Sequence, residues 1–145
     1  MELGLQLSDF KLNADDSFLA AFSKVTRDQV LPLMKEHADQ MEWYTHWMIV
    51  EKEHNITVGG MGMNGPPDKD GQVMIGYFTD KKFEGRGYAT EALKAFVEWI
   101  FHNPPAGSVI ADTLAEGYAS QKVLAKNGFL FEQETEEGLR WKLSR

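Results

Sequence analysis

The chain has 145 residues, of which 43% are hydrophobic and 26% charged, and this balance predicts a single globular domain over residues 1–145. Its net charge of -7 argues against a general nucleic-acid binder, because such proteins present a basic face. The chain has no cysteine, no apolar run near the roughly 20 residues of a membrane span and no signal-peptide pattern, so we expect a cytoplasmic protein without disulfides or membrane contacts.

Two helices are predicted in the first 45 residues. Residues 15–17 can cap a helix that continues to Phe22, and a second helix is predicted from Thr26 toward Met41. Pro32 lies too deep in the second segment to occupy the first helical position. It therefore implies a later start or a kink.

The rest of the chain alternates strands with two helices. Strands are predicted at residues 47–52, 56–63, 72–78 and 108–113, helices at 89–101 and 119–126, and a closing hairpin at 129–134 and 139–143. Residues 64–71 are rich in turn formers and form a loop, while Asn127-Gly128 ends the second helix. This order predicts an α/β (α+β) domain with a mixed central sheet.

The segment Phe83-Glu84-Gly85-Arg86-Gly87-Tyr88 lies between a strand and a helix. Its two glycines allow consecutive N–H groups to turn toward one point, where the helix start adds partial positive charge, and a pyrophosphate suits such a place. A P-loop is excluded because no Lys-Ser/Thr follows Gly87, and a Rossmann fingerprint because Thr90 occupies the third glycine position. Tight packing of a turn that binds no ligand remains the alternative.

Residues 82–87 resemble the coenzyme A loop of the GNAT superfamily of N-acetyltransferases, Gln/Arg-x-x-Gly-x-Gly/Ala, with Lys82 at the first position. A second block, residues 119–129, resembles the helix of that family that follows Asn-x-x-Ser and ends in Gly-Phe, with Gly117 in place of the Asn. The resemblance covers about residues 47–145 and is closest to the branch that contains the ribosomal-protein N-acetyltransferases. It implies a mostly antiparallel sheet flanked by helices, with splayed central strands.

The resemblance also implies acetyl-CoA or coenzyme A as co-substrate. The strand at residues 77–79 would pair with the pantetheine arm, a backbone N–H near Tyr77 or Phe78 would bind the oxyanion, and the glycine loop would wrap the pyrophosphate. The cofactor contacts implied are Tyr77, Phe78, Thr79, Lys82, Glu84, Gly85, Arg86, Gly87, Tyr88, Thr90 and Lys122.

Ser120 is the implied catalytic residue, as a proton donor to the leaving thiolate. A serine at the start of a helix also suits a capping role, and on residue type alone the cap is favoured over proton transfer. Leu124 stands where many relatives have a tyrosine acid, and Met74 stands where a carboxylate base is common. The remaining candidates for the base are His37, His46, Asp112 and Glu116. The four histidines lack ligand spacing, so no metal is expected.

The resemblance implies transfer of an acetyl group to a primary amine, of a small molecule or of a peptide or protein α-amine, by direct attack in a ternary complex. A non-catalytic coenzyme A-binding sensor or partner protein is the alternative, and a longer acyl chain stays open. The aromatic residues at 43–47 either shape an acceptor pocket or belong to the core, and the core is favoured. A homodimer through a sheet edge or the C-terminal hairpin is one arrangement left open.

Overall fold

The computed structural model describes Lys24 and residues 26–145. The strands are β1 (His46–Glu51), β2 (Ile56–Met63), β3 (Gln72–Thr79), β4 (Ser108–Leu114), β5 (Leu130–Glu134) and β6 (Gly138–Ser144). The α-helices are α1 (Leu31–Glu36), α2 (Tyr88–Phe101) and α3 (Tyr118–Lys126), with 3-10 turns at Ala38–Trp43 and Lys81–Phe83. Each strand and helix predicted beyond residue 46 is present, with ends within two residues of the prediction.

The helical segment before β1 is broken twice. A π-helical turn, Thr26–Val30, leads into α1, and His37 leaves helical geometry (φ -122, ψ 51) before the 3-10 turn at Ala38–Trp43. Pro32 has no N–H to donate, and its ring would clash with the carbonyl four residues earlier, so a regular α-helix cannot run through this point. The α-helix begins at Leu31 with Pro32 in its first turn, which corresponds to the later start, one of the two predicted possibilities. The helix predicted near residues 15–22 lies outside the described residues.

The six strands form one mixed sheet in the order β1-β2-β3-β4-β6-β5. Every neighbouring pair is antiparallel except β3 and β4, which are parallel. The expectation of a mixed, mostly antiparallel sheet is confirmed.

The two central strands separate halfway along their length. β3 pairs with β4 only from Gln72↔Ser108 to Ile75↔Ala111. Beyond Ile75, β3 remains paired with β2 as far as Thr79, while β4 remains paired with β6 as far as Leu114. The space between the diverging ends is called the β3–β4 gap below, and it is the predicted splay.

The hydrophobic core lies between α2, α3 and one face of the sheet. α2 buries Leu93, Phe96, Val97 and Ile100 at helical spacing, as the sequence pattern predicts. Trp43 and Trp47 both pack against Trp99 of α2, with ring centroids 5.0 and 5.1 Å apart. These two tryptophans are therefore core residues, which confirms the favoured interpretation of residues 43–47 for them. No helix among the described residues has the length and apolar character needed to cross a bilayer.

Candidate active site

A cleft of about 640 Å³ opens at the β3–β4 gap, within the size range usual for small-molecule sites. Its walls are the end of β3, the glycine loop, the first turn of α2, and α3 with the residues just before it. The lining residues are Tyr77, Phe78, Thr79, Phe83, Glu84, Gly85, Gly87, Tyr88, Ala89, Thr90, Glu116, Gly117, Tyr118, Ala119, Ser120, Lys122, Val123 and Lys126. The fold thus brings together the two sequence blocks that resemble the acetyltransferases.

The two glycines of the loop adopt left-handed backbone geometry, with φ of +75 at Gly85 and +85 at Gly87. A Cβ added at either position would have no atom within 4 Å. The positive φ angles therefore explain why glycine is favoured at these two positions, whereas steric crowding does not. Tight packing therefore does not explain the two glycines of this loop.

Two helices begin at the cleft without a side-chain cap. Gly87 is the N-cap of α2 and Gly117 is the N-cap of α3, and neither can offer a capping oxygen from a side chain. The first N–H groups of a helix lack partners within that helix and carry its partial positive charge. Two such ends at one cleft make it suited to an anionic ligand.

The backbone of β3 alternates between its two sides. The amide of Asn64 donates to the Met74 carbonyl (3.0 Å), and that of Asp80 donates to the Val58 carbonyl (2.8 Å), so even-numbered residues of β3 face β2. By the alternation of an antiparallel ladder, the N–H and C=O of Tyr77 and Thr79 face the gap. Of the two candidate donors for the oxyanion, only Tyr77 turns its amide that way.

Ser120 lies in the first turn of α3 with its side chain toward β3. Its Oγ donates a hydrogen bond to Tyr77 Oη (3.0 Å), and Tyr77 Oη donates to the Ser120 carbonyl oxygen (3.0 Å). Because Gly117 is the N-cap and no side chain caps α3, the prediction that Ser120 is a cap is wrong. Burial raises the pKa of the Tyr77 hydroxyl, an effect that the bond from Ser120 opposes.

Most predicted cofactor residues reach the cleft, but two do not line it. The Arg86 guanidinium lies over the Phe83 ring, 5.5 Å from its centroid, and Lys82 belongs to the 3-10 turn that Asp80 caps. The cations that line the cleft are Lys122 and Lys126, one turn apart on α3. Lys126 is not among the predicted cofactor contacts, although its i, i+4 spacing from Lys122 indicates that both side chains lie on one face of the helix.

The four candidate bases occupy different places. Glu116 lines the cleft, whereas Asp112 lies in a separate depression and is bound by Arg140 at 2.8 and 2.9 Å. These hydrogen bonds hold the pKa of the Asp112 carboxyl below its ordinary value, and the fold does not bring this carboxylate to the cleft. His37 stacks on Tyr44 (4.1 Å), and His46 is half-buried at the start of β1.

Met74 occupies the position where the resemblance leads one to expect a carboxylate base, and its thioether accepts a hydrogen bond from Asn64. Asn64 Nδ2 donates to Met74 Sδ at 3.1 Å. A thioether accepts only weak hydrogen bonds and does not take a proton at neutral pH. Leu124 occupies the position on α3 where many relatives have a tyrosine acid. Its side chain is fully buried in the core, so it offers no proton donor to the cleft.

Comparison with known proteins gives a consistent result. A model of the acetyltransferase (GNAT) domain matches residues 7–130. The chain is 32% identical over 98 residues to YjdG, an uncharacterized N-acetyltransferase of Bacillus subtilis (strain 168), and the match covers 68% of this chain. The chain spans 58% of the length of that relative.

Solved structures share the fold. The ribosomal-protein-S5-alanine acetyltransferase from Vibrio fischeri has a TM-score of 0.68 at 19% identity, over 90% of this chain and 75% of its own. The ribosomal L7/L12 α-N-protein acetyltransferase RimL, solved in complex with coenzyme A, has a TM-score of 0.66 at 18% identity, over 87% of this chain and 72% of its own. At these identities the likeness establishes the fold alone.

Proposed function

This chain belongs to the GNAT acetyltransferase family, and we propose that it is an acetyl-CoA-dependent N-acetyltransferase acting on a primary amine. The observation that carries the proposal is the cleft at the β3–β4 gap. Two helices begin at this cleft with glycine as the N-cap residue, and Ser120 lines it. The cleft thus offers donors for a diphosphate, free backbone for an extended amide chain, and a hydroxyl between them.

Coenzyme A would lie along the cleft with its pyrophosphate at the glycine loop. The N–H groups from Gly85 to Thr90 and the ammonium groups of Lys122 and Lys126 supply hydrogen-bond donors and positive charge there. The pantetheine amides would pair with the gap-facing backbone of Tyr77 and Thr79, as an added strand does. Lys82 and Arg86 would then act from the rim of the cleft by charge rather than by direct contact.

The reaction proceeds by direct attack of the neutral amine on the thioester carbonyl. A C–N bond forms, the Tyr77 N–H stabilises the oxyanion, and the C–S bond then breaks with its electron pair going to sulfur. Ser120 donates its hydroxyl proton to that thiolate and regains a proton from the attacking nitrogen. The chain has no cysteine that could carry the acetyl group in a covalent intermediate.

The acceptor is a primary amine of a small molecule or the α-amine of a peptide or protein. The name of the structural neighbour RimL, an α-N-protein acetyltransferase, motivates the α-amine class. The cytoplasmic location expected from the sequence stays a prediction. A homodimer also stays a prediction. β5 supports it, because among the described residues this strand lies at an edge of the sheet, with Leu130 and Phe131 exposed.

Calorimetric titration with acetyl-CoA, followed by measurement of thiol release across a panel of amines, tests the function. We expect saturable binding and amine-dependent thiol release. Binding without release for any amine would favour the coenzyme A-binding sensor, a reading that Met74 and the buried Leu124 motivate. Absence of binding would overturn both functions.

Ser120→Ala tests the proposed proton donor. Loss of a general acid lowers rates by roughly 100-fold to 10,000-fold, and we expect kcat to fall within or near that range while the affinity for acetyl-CoA holds. The variant also loses the hydrogen bond from Ser120 Oγ to Tyr77 Oη, so we expect it to be less stable by about 0.5–1.5 kcal/mol in urea unfolding and to remain folded in the assay. An unchanged kcat would remove Ser120 from the mechanism.

A further inference from the structure

Tyr77 and Ser120 form a hydroxyl pair at the wall of the cleft. The Tyr77 Oη atom lies 3.0 Å from two oxygen atoms of one residue: it donates to the Ser120 carbonyl oxygen and accepts from Ser120 Oγ, and a hydroxyl oxygen such as Oγ can also act as an acceptor. A phenol has a single proton, so it can donate to only one of them at a time. Both side chains line the cleft.

The direction of the Tyr77 proton decides what Ser120 can do. While Tyr77 donates to the carbonyl, the Ser120 hydroxyl donates to Tyr77, and its proton is not available to a ligand. When Tyr77 turns its proton to Ser120 Oγ, the serine becomes an acceptor on that side and its own proton is released toward the cleft. Both arrangements use the same heavy-atom positions, so the change needs only rotation of two hydroxyl groups.

We propose that Tyr77 is a positioning residue that sets the direction of the Ser120 hydroxyl and so makes its proton available to the leaving sulfur. The inference rests on the proposed acetyl transfer and adds a residue to it. During transfer, sulfur takes the proton of Ser120, Ser120 takes a proton from the attacking nitrogen, and Tyr77 keeps its own proton while donating to Ser120 Oγ. The net result moves one proton from nitrogen to sulfur.

Three features of the chain support this role. The position one turn beyond Ser120 on α3 is the buried Leu124, so that helix presents no tyrosine hydroxyl there. Tyr77 brings its hydroxyl to Ser120 from β3, and the Tyr77 backbone faces the gap. Burial raises the pKa of its hydroxyl, which keeps the group protonated, as a donor that is not consumed must be.

A double-mutant cycle tests the proposal, using Tyr77→Phe, Ser120→Ala and the double variant. We expect Tyr77→Phe to lower kcat by about tenfold or more with little change in the KM for acetyl-CoA, because the ring and the strand backbone are retained. In the Ser120→Ala background the same change should have almost no further effect on kcat, since Tyr77 acts only through Ser120.

Thr113→Val is the matched control. Thr113 Oγ1 accepts a hydrogen bond from Trp141 Nε1 at 3.2 Å, a bond between part-buried side chains that lies outside the cleft. Its loss should lower stability to a similar extent as Tyr77→Phe and leave kcat unchanged.

The possible failures can be told apart. If Tyr77→Phe lowers kcat equally with and without Ser120, or raises KM instead of lowering kcat, Tyr77 is a structural residue and this inference is wrong while the acetyltransferase function stands. If the unaltered protein binds acetyl-CoA but releases no thiol with any amine, the proposed function fails and this role fails with it.

Discussion

At the scale of single residues, the two loop glycines combine a backbone requirement with open space. Gly85 and Gly87 need left-handed geometry, yet nothing lies within 4 Å of the position where a Cβ would be. A ligand can therefore approach the backbone closely, and the uncapped N–H groups of α2 lie directly behind the loop. A side chain at either position would occupy the space in which we propose that the pyrophosphate lies.

Gly87→Glu tests this arrangement. The new side chain adds bulk and negative charge at the helix start, and we expect the affinity for acetyl-CoA to fall at least tenfold, or about 1.4 kcal/mol, by calorimetry. Gly87→Gln is the matched control, because it carries the same strain at φ +85 and nearly the same volume without the charge. Glutamine should weaken binding less than glutamate does. Wild-type affinity in a folded Gly87→Glu variant would exclude this loop as the phosphate site.

At the scale of secondary-structure elements, the gap exists because β3 and β4 are held by different neighbours. β2 follows β3 to its end at Thr79, and β6 follows β4 to its end at Leu114. β6 begins at Gly138, directly opposite Leu114. A Cβ on Gly138 would overlap the Thr113 carbonyl oxygen and crowd the Ala115 amide. The contact between β4 and β6 at the mouth of the gap thus depends on a residue without a side chain.

We therefore expect Gly138→Ala to be costly. Overpacking typically costs about 1–3 kcal/mol, and here the obstacle is backbone, which cannot rotate away. Gly107→Ala is the control, since a Cβ there would meet only the Pro105 carbonyl oxygen at 4.0 Å. Urea unfolding should give a clear loss for Gly138→Ala and a change within about 0.5 kcal/mol for Gly107→Ala. Equal stability of the two variants would contradict the close approach of β6 to β4.

At the scale of the whole molecule, an acidic protein has a cleft suited to an anion. The net charge is -7, yet Lys122 and Lys126 line the cleft beside two helix starts. Charges further away than a Debye length, about 8 Å in physiological salt, are largely screened. We therefore expect local donors to govern binding of the proposed coenzyme A ligand, and raising the salt concentration should weaken that binding through those nearby charges.

Acid sensitivity of the fold is also a property of the whole molecule, and His46 contributes to it. Burial lowers the pKa of His46 below its ordinary value of 6.5, so the unfolded chain takes up a proton at a higher pH than the folded one. Stability from this group is complete above about pH 6.5 and is lost as the pH falls toward the folded pKa. His46→Gln should make the free energy of unfolding less dependent on pH between 7.5 and 5.5. An identical slope in both proteins would rule out this contribution.

Local patterns in the sequence predicted much of the fold. Alternating apolar residues located the strands, helical spacing located the buried face of α2, and Gly85 and Gly87 located the loop at its start. These features depend on neighbours within a few residues, which is why one sequence sufficed for them. The late start of α1 at Leu31 belongs to the same class, since it follows from the chemistry of Pro32 alone.

The tertiary structure decided which groups meet. Ser120 and Tyr77 are 43 residues apart, and Asp112 and Arg140 are 28 apart, so no local spacing indicates either pair. Residue type favoured a cap for Ser120, which is wrong because Gly117 is the N-cap of α3 and the Ser120 hydroxyl bonds Tyr77. Residue type also allowed a base at Asp112, but Arg140 of β6 binds this carboxylate outside the cleft. The sequence by itself determined the elements and the glycine loop. Packing of β3 against α3, and of β4 against β6, determined which hydroxyls and carboxylates are available for chemistry.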